Sequence, residues 1–502
     1  MKMNKLSMVV AAAAMSVAGS ASAGLTLADL PADIEITVSG ASASDKVLKG
    51  TFDTLCDGDV TVFTDRCSDE SAETDLTTCA STGPKIPGKS FAAYFCTMTP
   101  ASAGISASQT VILRKRSAGG SFQGTVPVAK ADPVDQMVLD SSNCKLTSVA
   151  DTYKCDKNNT VGIVSDAGIS DEEPELFTSL NVGAGSSPMT TALRGRLDVQ
   201  PINALTFGVP VTNALFTALQ EAQGLTVGGP LPANMPSLTK EQLAALYKGS
   251  IAEWTDVKFG GTDLVSLATT PPSDNRVAIC RRVNGSGTQA QLNANFLHAP
   301  CTDAADFPAE DNTVCTNEKG EDPFGGACGG DGYDNLTGTV AGAAIVHENS
   351  GSGDVDQCLE DLQGANIWAL GVQSLEKVNS EWTFIKVNGQ APTLENVAKG
   401  KYFDWAASTI QWRNTTVNGF LPPAGDELTI LNAIREESGQ PDVIDGLNDS
   451  NDQGFGPTGA LALGTLPGVV LSPFNADLPV MQYTRGGKTC NVQRALGTVD
   501  FE

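Results

Sequence analysis

The chain has 502 residues, 58 acidic against 32 basic, and a formal net charge of −26. Such a surface repels nucleic acid and anionic lipid, so neither is expected as a partner. Only two histidines occur, His298 and His347, too few for a Ser-His-Asp triad or a multi-histidine metal site. No enzyme activity, metal or cofactor is therefore expected.

The first 23 residues join two lysines in "MKMNK" to the apolar "MVVAAAAMSVAG" and an A-x-A site, Ala21 to Ala23. That pattern predicts a secretory signal peptide, too short for a membrane span. No cysteine follows the cleavage site, so no lipid anchor is expected, and the location predicted is periplasmic or extracellular. All twelve cysteines lie beyond it, an even number that reads as disulfides in an exported chain. Neighbour pairing is the simplest arrangement: Cys144 with Cys155, Cys280 with Cys301, Cys315 with Cys328, Cys358 with Cys490. Spacing alone leaves the connectivity open.

"DIEITVSGASASDKVLKGTF" (33–52) reads as a strand running through a Gly/Ser turn into a helix. An acidic, cysteine-bearing insertion follows. "SFAAYFCTM" and "QTVILRKRSAGGSFQGTVPVA" give two strands, the second ending in a glycine-rich turn. "TVGIVSDAGISDEEPELF" (160–177) reads as a buried strand, a turn and a short helix, and "ALTFGVPV" (204–211) as another strand. The clearest helix lies in "SLTKEQLAALYKGSIAEW", with Thr239 and Gln242 as a capping box and Leu243, Leu246 and Tyr247 on one face. "DNRVAICRRVNGSGTQAQLNANFL" is strand, turn, helix. Residues 301–338 look like a second stapled insertion. "TVAGAAIVHEN", "ANIWALGV" and "WTFIKVNGQ" are strand-like, "TLENVAKGKY" is helix-like, and the region after about residue 416 is harder to assign. Short apolar strands alternating with helices predict an α/β fold of two or three domains. Trp254, Trp368, Trp382, Trp405 and Trp412 lie in apolar runs and are expected in the core. "DGLNDSNDQGFG" (445–456) lacks the glutamate that ends an EF-hand loop and reads as a solvated acidic loop.

Four turns share one character: Ser39–Ser44, Ser117–Ser121, Ser165–Ala167 and Gly285–Thr288. Each lies where a strand gives way, and each offers small residues, backbone N–H groups and hydroxyls. Ligands in open α/β sheets sit beyond the carboxyl ends of strands. The fourth turn adds Arg282 and opens a helix, whose N-terminus suits an anion. Singly, each turn is ordinary; Arg282 alone would be a surface ion pair and Asp166 alone an N-cap.

In their order, "VSGASAS", "RSAGGS", "GIVSDAGISDEE", "LTKEQLAALYKGSIAEW", "RRVNGSGTQ" and "FIKVNGQAPTLENVAKGKY" resemble the periplasmic phosphate-binding subunit of ABC transporters. The resemblance implies a two-lobed type II periplasmic-binding-protein fold with the ligand cleft between lobes and disulfide-stapled insertions. On that reading, lobe 1 spans 24–200 with an insertion at 53–85, and lobe 2 spans 201–372 with an insertion at 301–338. Residues 373–502 return to lobe 1 and add a C-terminal extension. The implied ligand is inorganic phosphate, with an ABC permease as membrane partner.

Carried over by motif, the ligand contacts are Ala43 and Ser44, Ser117 and Gly119, Asp166 as acceptor, Arg282 as charge partner, and Ser286, Gly287 and Thr288 as donors. Asp166 would select phosphate, which keeps a proton to donate, over sulfate, which does not. Two positions depart from the pattern. Asn284 replaces an aspartate that usually partners the arginine, which implies a freer Arg282. Asp45 replaces an aromatic and adds negative charge near the site. The alternative is a secreted or cell-surface structural protein that keeps this fold while its insertions and C-terminal region mediate self-assembly.

Overall fold

The computed structural model describes residues 24–65, 90–302, 305–310, 342–448, 451 and 453–497, apart from Ser148 and Ala184. The expected signal peptide and most of both insertions, with Cys67, Cys79, Cys315 and Cys328, lie outside the described residues.

Two mixed sheets organise the chain. In the larger, β1 (Ile34–Gly40) lies between β2 (Gln109–Arg116) and β3 (Ala167–Ser170) and is parallel to both, with Ile36 opposite Leu113 and Val38 opposite Ala167. Parallel strands are covered on both faces, so they read as continuous apolar runs. One cover is α1 (Asp45–Leu55), which buries Val47, Leu48, Thr51, Phe52 and Leu55 at helical spacing. The same core takes Ile430, Leu431 and Ile434 from the helix Gly425–Glu437, in the region the sequence left unassigned.

β4 (Leu197–Gly208) carries the chain out of the larger sheet directly into β5 (Pro210–Thr212) of the smaller one. The smaller sheet contains β6 (Ala278–Arg282), β7 (Ile345–Asn349), β8 (Ala369–Gly371) and β9 (Trp382–Phe384), in the order β7-β6-β8-β5-β9. Gln373 and Ser374 pair briefly with β4, yet β9 pairs back with β5. The lasting return to the larger sheet is therefore at β10 (Trp405–Arg413), antiparallel to both β4 and β3, later than the boundary at 373 that the sequence suggested.

The five tryptophans are buried, and Trp254 donates its indole N–H to Trp368 O at 3.1 Å. Thr239 and Gln242 form the expected reciprocal cap. No helix among the described residues is long and apolar enough to cross a membrane.

The described residues hold four disulfides: Cys56–Cys96, Cys144–Cys155, Cys280–Cys358 and Cys301–Cys490. Cys144–Cys155 follows neighbour pairing; Cys280–Cys301 and Cys358–Cys490 do not form. The reason is packing. Cys280 sits in β6, whose core face meets the helix Ser352–Gly364 carrying Cys358, while Cys301 follows a different helix and faces the chain's C-terminal hairpin.

Candidate functional site

β1, β2 and β3 run parallel and end at one edge of the larger sheet, facing the end of β6 in the smaller one. The turn after β2 meets the turn after β6: Phe122 N–H donates to Gly285 O at 2.9 Å. A Cβ on Gly120, whose φ is +67°, would lie 3.0 Å from Ser286 Cα, so this close approach requires glycine. After Ser286, which caps it, comes α2 (Gly287–Leu297), entirely buried.

Against the first residue of α2 lies the carboxylate of Asp171, the residue immediately after β3. A Cβ on Gly287 would approach Asp171 Cβ to 2.7 Å and collide with Ser121 Oγ. Asp171 N–H donates to Ser121 Oγ at 3.1 Å, and its Oδ1 is buried with no hydrogen-bond partner among the described residues. Burial raises the Asp171 carboxyl to about 6, against the opposing pull of Arg282, the Ser121 hydroxyl and Lys115. An acceptor without a donor, at the positive end of a helix and beside a guanidinium, is suited to a ligand that brings both charge and a proton.

Arg282, at the end of β6, is 2% exposed. Its Nη2 donates to Ser350 O at 2.8 Å and its Nε to Asn349 O at 3.3 Å. Asp354 and Asp171 are the carboxylates that act on it. The freer cation expected from Asn284 is thus not what the structure holds: Asp354, in the first turn of the helix Ser352–Gly364, supplies the countercharge. Arg281 is held separately, 2.6 Å from Glu348.

The other expected residues divide. Ala43, Ser44, Ser117, Gly119, Ser286, Gly287 and Thr288 all occupy turns or helix starts at the ends of β1, β2 and β6. Ser44 Oγ is buried without a partner among the described residues. The Ser117 hydroxyl, however, is already engaged, donating to the Asp45 carboxylate at 2.7 Å.

Asp166 is not gathered with them. It precedes β3, where its Oδ2 accepts from Thr37 N at 2.8 Å and Arg413 is its charged neighbour. Five steps of extended chain, roughly 16 Å, separate it from Asp171. Two Ser-Asp dipeptides lie here: 165–166 precedes the strand Ala-Gly-Ile-Ser and 170–171 closes it, whereas the sequence reading puts the strand in "TVGIV" and the turn at the first dipeptide. Thr160–Val164 is instead a half-buried arm paired with Pro133–Met137, and the plain Ala167–Ser170 is the buried strand.

Sequence reasoning also missed the far side of α2. The hairpin formed by Tyr483–Thr484 and Arg494–Ala495 reaches Cys490, which is bonded to Cys301 just past α2. Arg485 Nη1 donates to Asn295 Oδ1 of α2 at 3.2 Å, and Thr489 N–H donates to Glu173 Oε1 at 2.9 Å. The Thr489 hydroxyl lies between the Glu172 and Glu173 carboxyls. Burial raises both, Glu173 to about 7, and the charge of Glu173 lifts Glu172 further.

With Asp171 and Asp404, each raised to about 6 chiefly by burial, these groups bind protons more readily folded than unfolded. Their full stability is present below the unfolded range near pH 4.5 and is lost as pH climbs through about 7. Thermal unfolding at constant ionic strength should therefore show Tm falling steadily from pH 5 to pH 8. A Tm that rises over that interval would contradict this account of the cluster.

No protein-family model matches the chain, and no curated protein matches it. Solved structures similar to it include a putative phosphate ABC transporter substrate-binding protein with bound phosphate from Clostridium perfringens (14% identity, 82% of this chain and 97% of that one, TM-score 0.37). An ABC-type phosphate transport receptor from Vibrio cholerae matches at 14% identity over 82% of this chain and 98% of that one, TM-score 0.36. PstS from Borrelia burgdorferi matches at 11% over 83% and 97%, TM-score 0.34. Scores this low add no weight to a functional reading, which rests on the geometry above.

Proposed function

We propose that the chain is an exported solute-binding protein that takes inorganic phosphate, or a similar protonated oxyanion, between its two sheets. The observation that carries this is Asp171, a buried carboxylate with an unpartnered oxygen at the N-terminus of α2 and near Arg282. Phosphate near neutral pH donates a proton to such an oxygen, whereas sulfate would leave the carboxylate facing a like charge. An unpaired buried polar group costs about 1–3 kcal/mol, more if charged, which gives phosphate roughly a tenfold to hundredfold preference at least. Arsenate carries the same proton and is not excluded by this chemistry.

Arg282 supplies the fixed charge, and Ser44, Ser286, Gly287 and Thr288 supply donors, with Ala43, Ser117 and Gly119 completing the turns. The four disulfides among the described residues fit an oxidising location such as the periplasm. An ABC permease is the partner to which such a protein would deliver its ligand. The test is calorimetric titration of the mature protein, unfolded and refolded to strip bound ligand. Saturable heat with phosphate, and binding of sulfate at least about tenfold weaker, is the expected result; no heat with phosphate would overturn the proposal.

A further inference from the structure

Resting on that reading, we propose that Asp45 is a built-in competing anion that an incoming oxyanion has to displace. Asp45 is the first residue of α1, so its negative charge lies in the first turn, where the helix dipole favours an anion. Ser117 Oγ lies 2.9 Å from its Oδ1 and 2.7 Å from its Oδ2, and Lys115 Nζ lies 3.1 Å from Oδ1. A serine hydroxyl has one proton to give. While Asp45 holds it, no ligand oxygen can.

Lys115 makes the occupancy consequential. It is 1% exposed, and its ammonium also donates to Gly40 O at 3.1 Å, Ala41 O at 3.0 Å, Arg116 O at 3.2 Å and Ser117 Oγ at 2.9 Å. A buried ammonium needs an anion beside it, and Asp45 is the carboxylate in contact. Asp171 is the second acid that acts on Lys115; Glu376 acts on both acids, with Lys46 and Lys377 facing it. A ligand oxyanion would serve Lys115 and Ser117 equally well. Because Asp45 is tethered to the same helix, it competes at a high effective concentration and holds the apparent affinity down. The side chain is 13% exposed, which leaves it a path out of the site.

The decisive comparison is phosphate titration of the native protein, Asp45→Ala and Asp45→Asn, each refolded free of ligand. Losing a charge-assisted competitor should tighten binding by about tenfold to a hundredfold. Asp45→Asn keeps the shape and carries the comparison if Asp45→Ala does not fold. Adding Lys115→Met to Asp45→Asn should cancel the gain, because the ammonium no longer seeks an anion. Variants that bind phosphate at least about tenfold more tightly than the native protein support the inference. Variants that bind no tighter than a native protein that does bind overturn it and leave the phosphate reading standing. If neither native protein nor variants bind phosphate, the phosphate reading and this inference fall together.

Discussion

Asp171→Asn should weaken phosphate binding by about tenfold to a hundredfold and admit sulfate. A hydrogen bond to a charged group contributes about 1.5–3 kcal/mol, and the amide gives up that charge while gaining N–H donors. Donors facing the ligand satisfy a proton-free anion as well as a protonated one, so discrimination collapses from both sides. Asp166→Asn is the matched control. Its carboxylate accepts from Thr37 N at the far end of β3, so the substitution should lower stability and leave both anions' affinities unchanged. Competitive titration with both anions checks the pair. Loss of discrimination in Asp166→Asn, with none in Asp171→Asn, would reverse the assignment.

The second large effect expected is on stability. Cys301–Cys490 joins residues 189 apart in sequence and anchors the hairpin that touches both α2 and the acids after β3. Chain-entropy arguments assign such a closure about 5 kcal/mol, slightly less here because Cys280–Cys358 already shortens the loop. The double variant Cys301→Ala/Cys490→Ala should lose roughly 5–10 °C in Tm. It should also show a shallower decline in Tm with rising pH, since an undocked hairpin lets water reach Glu172 and Glu173, whose burial is the chief cause of their raised pKa values and outweighs the opposing pull of the Thr489 donors. A scanning calorimetry trace matching that of the native protein would mean that non-covalent contacts alone dock the hairpin.

Much of this was legible in the sequence where local chemistry and burial agree. The Thr239–Gln242 cap, the five tryptophans and the turns after β1, β2 and β6 announce themselves by residue type. What could not be read is whatever depends on a neighbour brought from elsewhere. Asp166 and Asp171 each follow a serine, and only the pairing of Ala167–Ser170 with β1 decides which of them reaches the strand's carboxyl end. Lys115 lies in the run Arg114-Lys115-Arg116, which reads as the charged, exposed end of a strand; its burial follows from the turn carbonyls and Asp45 folding over it. Cysteine spacing favours loops of minimum length, whereas Cys280 and Cys358 are paired by a helix crossing a sheet.

Consider finally what separating the two sheets along α2 would uncover. The helix meets the larger sheet's residues chiefly through polar groups: Asn293 Nδ2 donates to Asn181 Oδ1 at 2.9 Å, Gly287 abuts Ser121 and Asp171, and Arg485 reaches Asn295. Ala290, packed with Phe122, Val126, Phe177 and Val182, is the apolar patch. Wetting apolar surface raises heat capacity and wetting amides lowers it. A seam with both kinds gives opposing contributions, so opening it would change the heat capacity less than opening an all-apolar seam of the same area. Motion here is better followed by distance than by heat capacity.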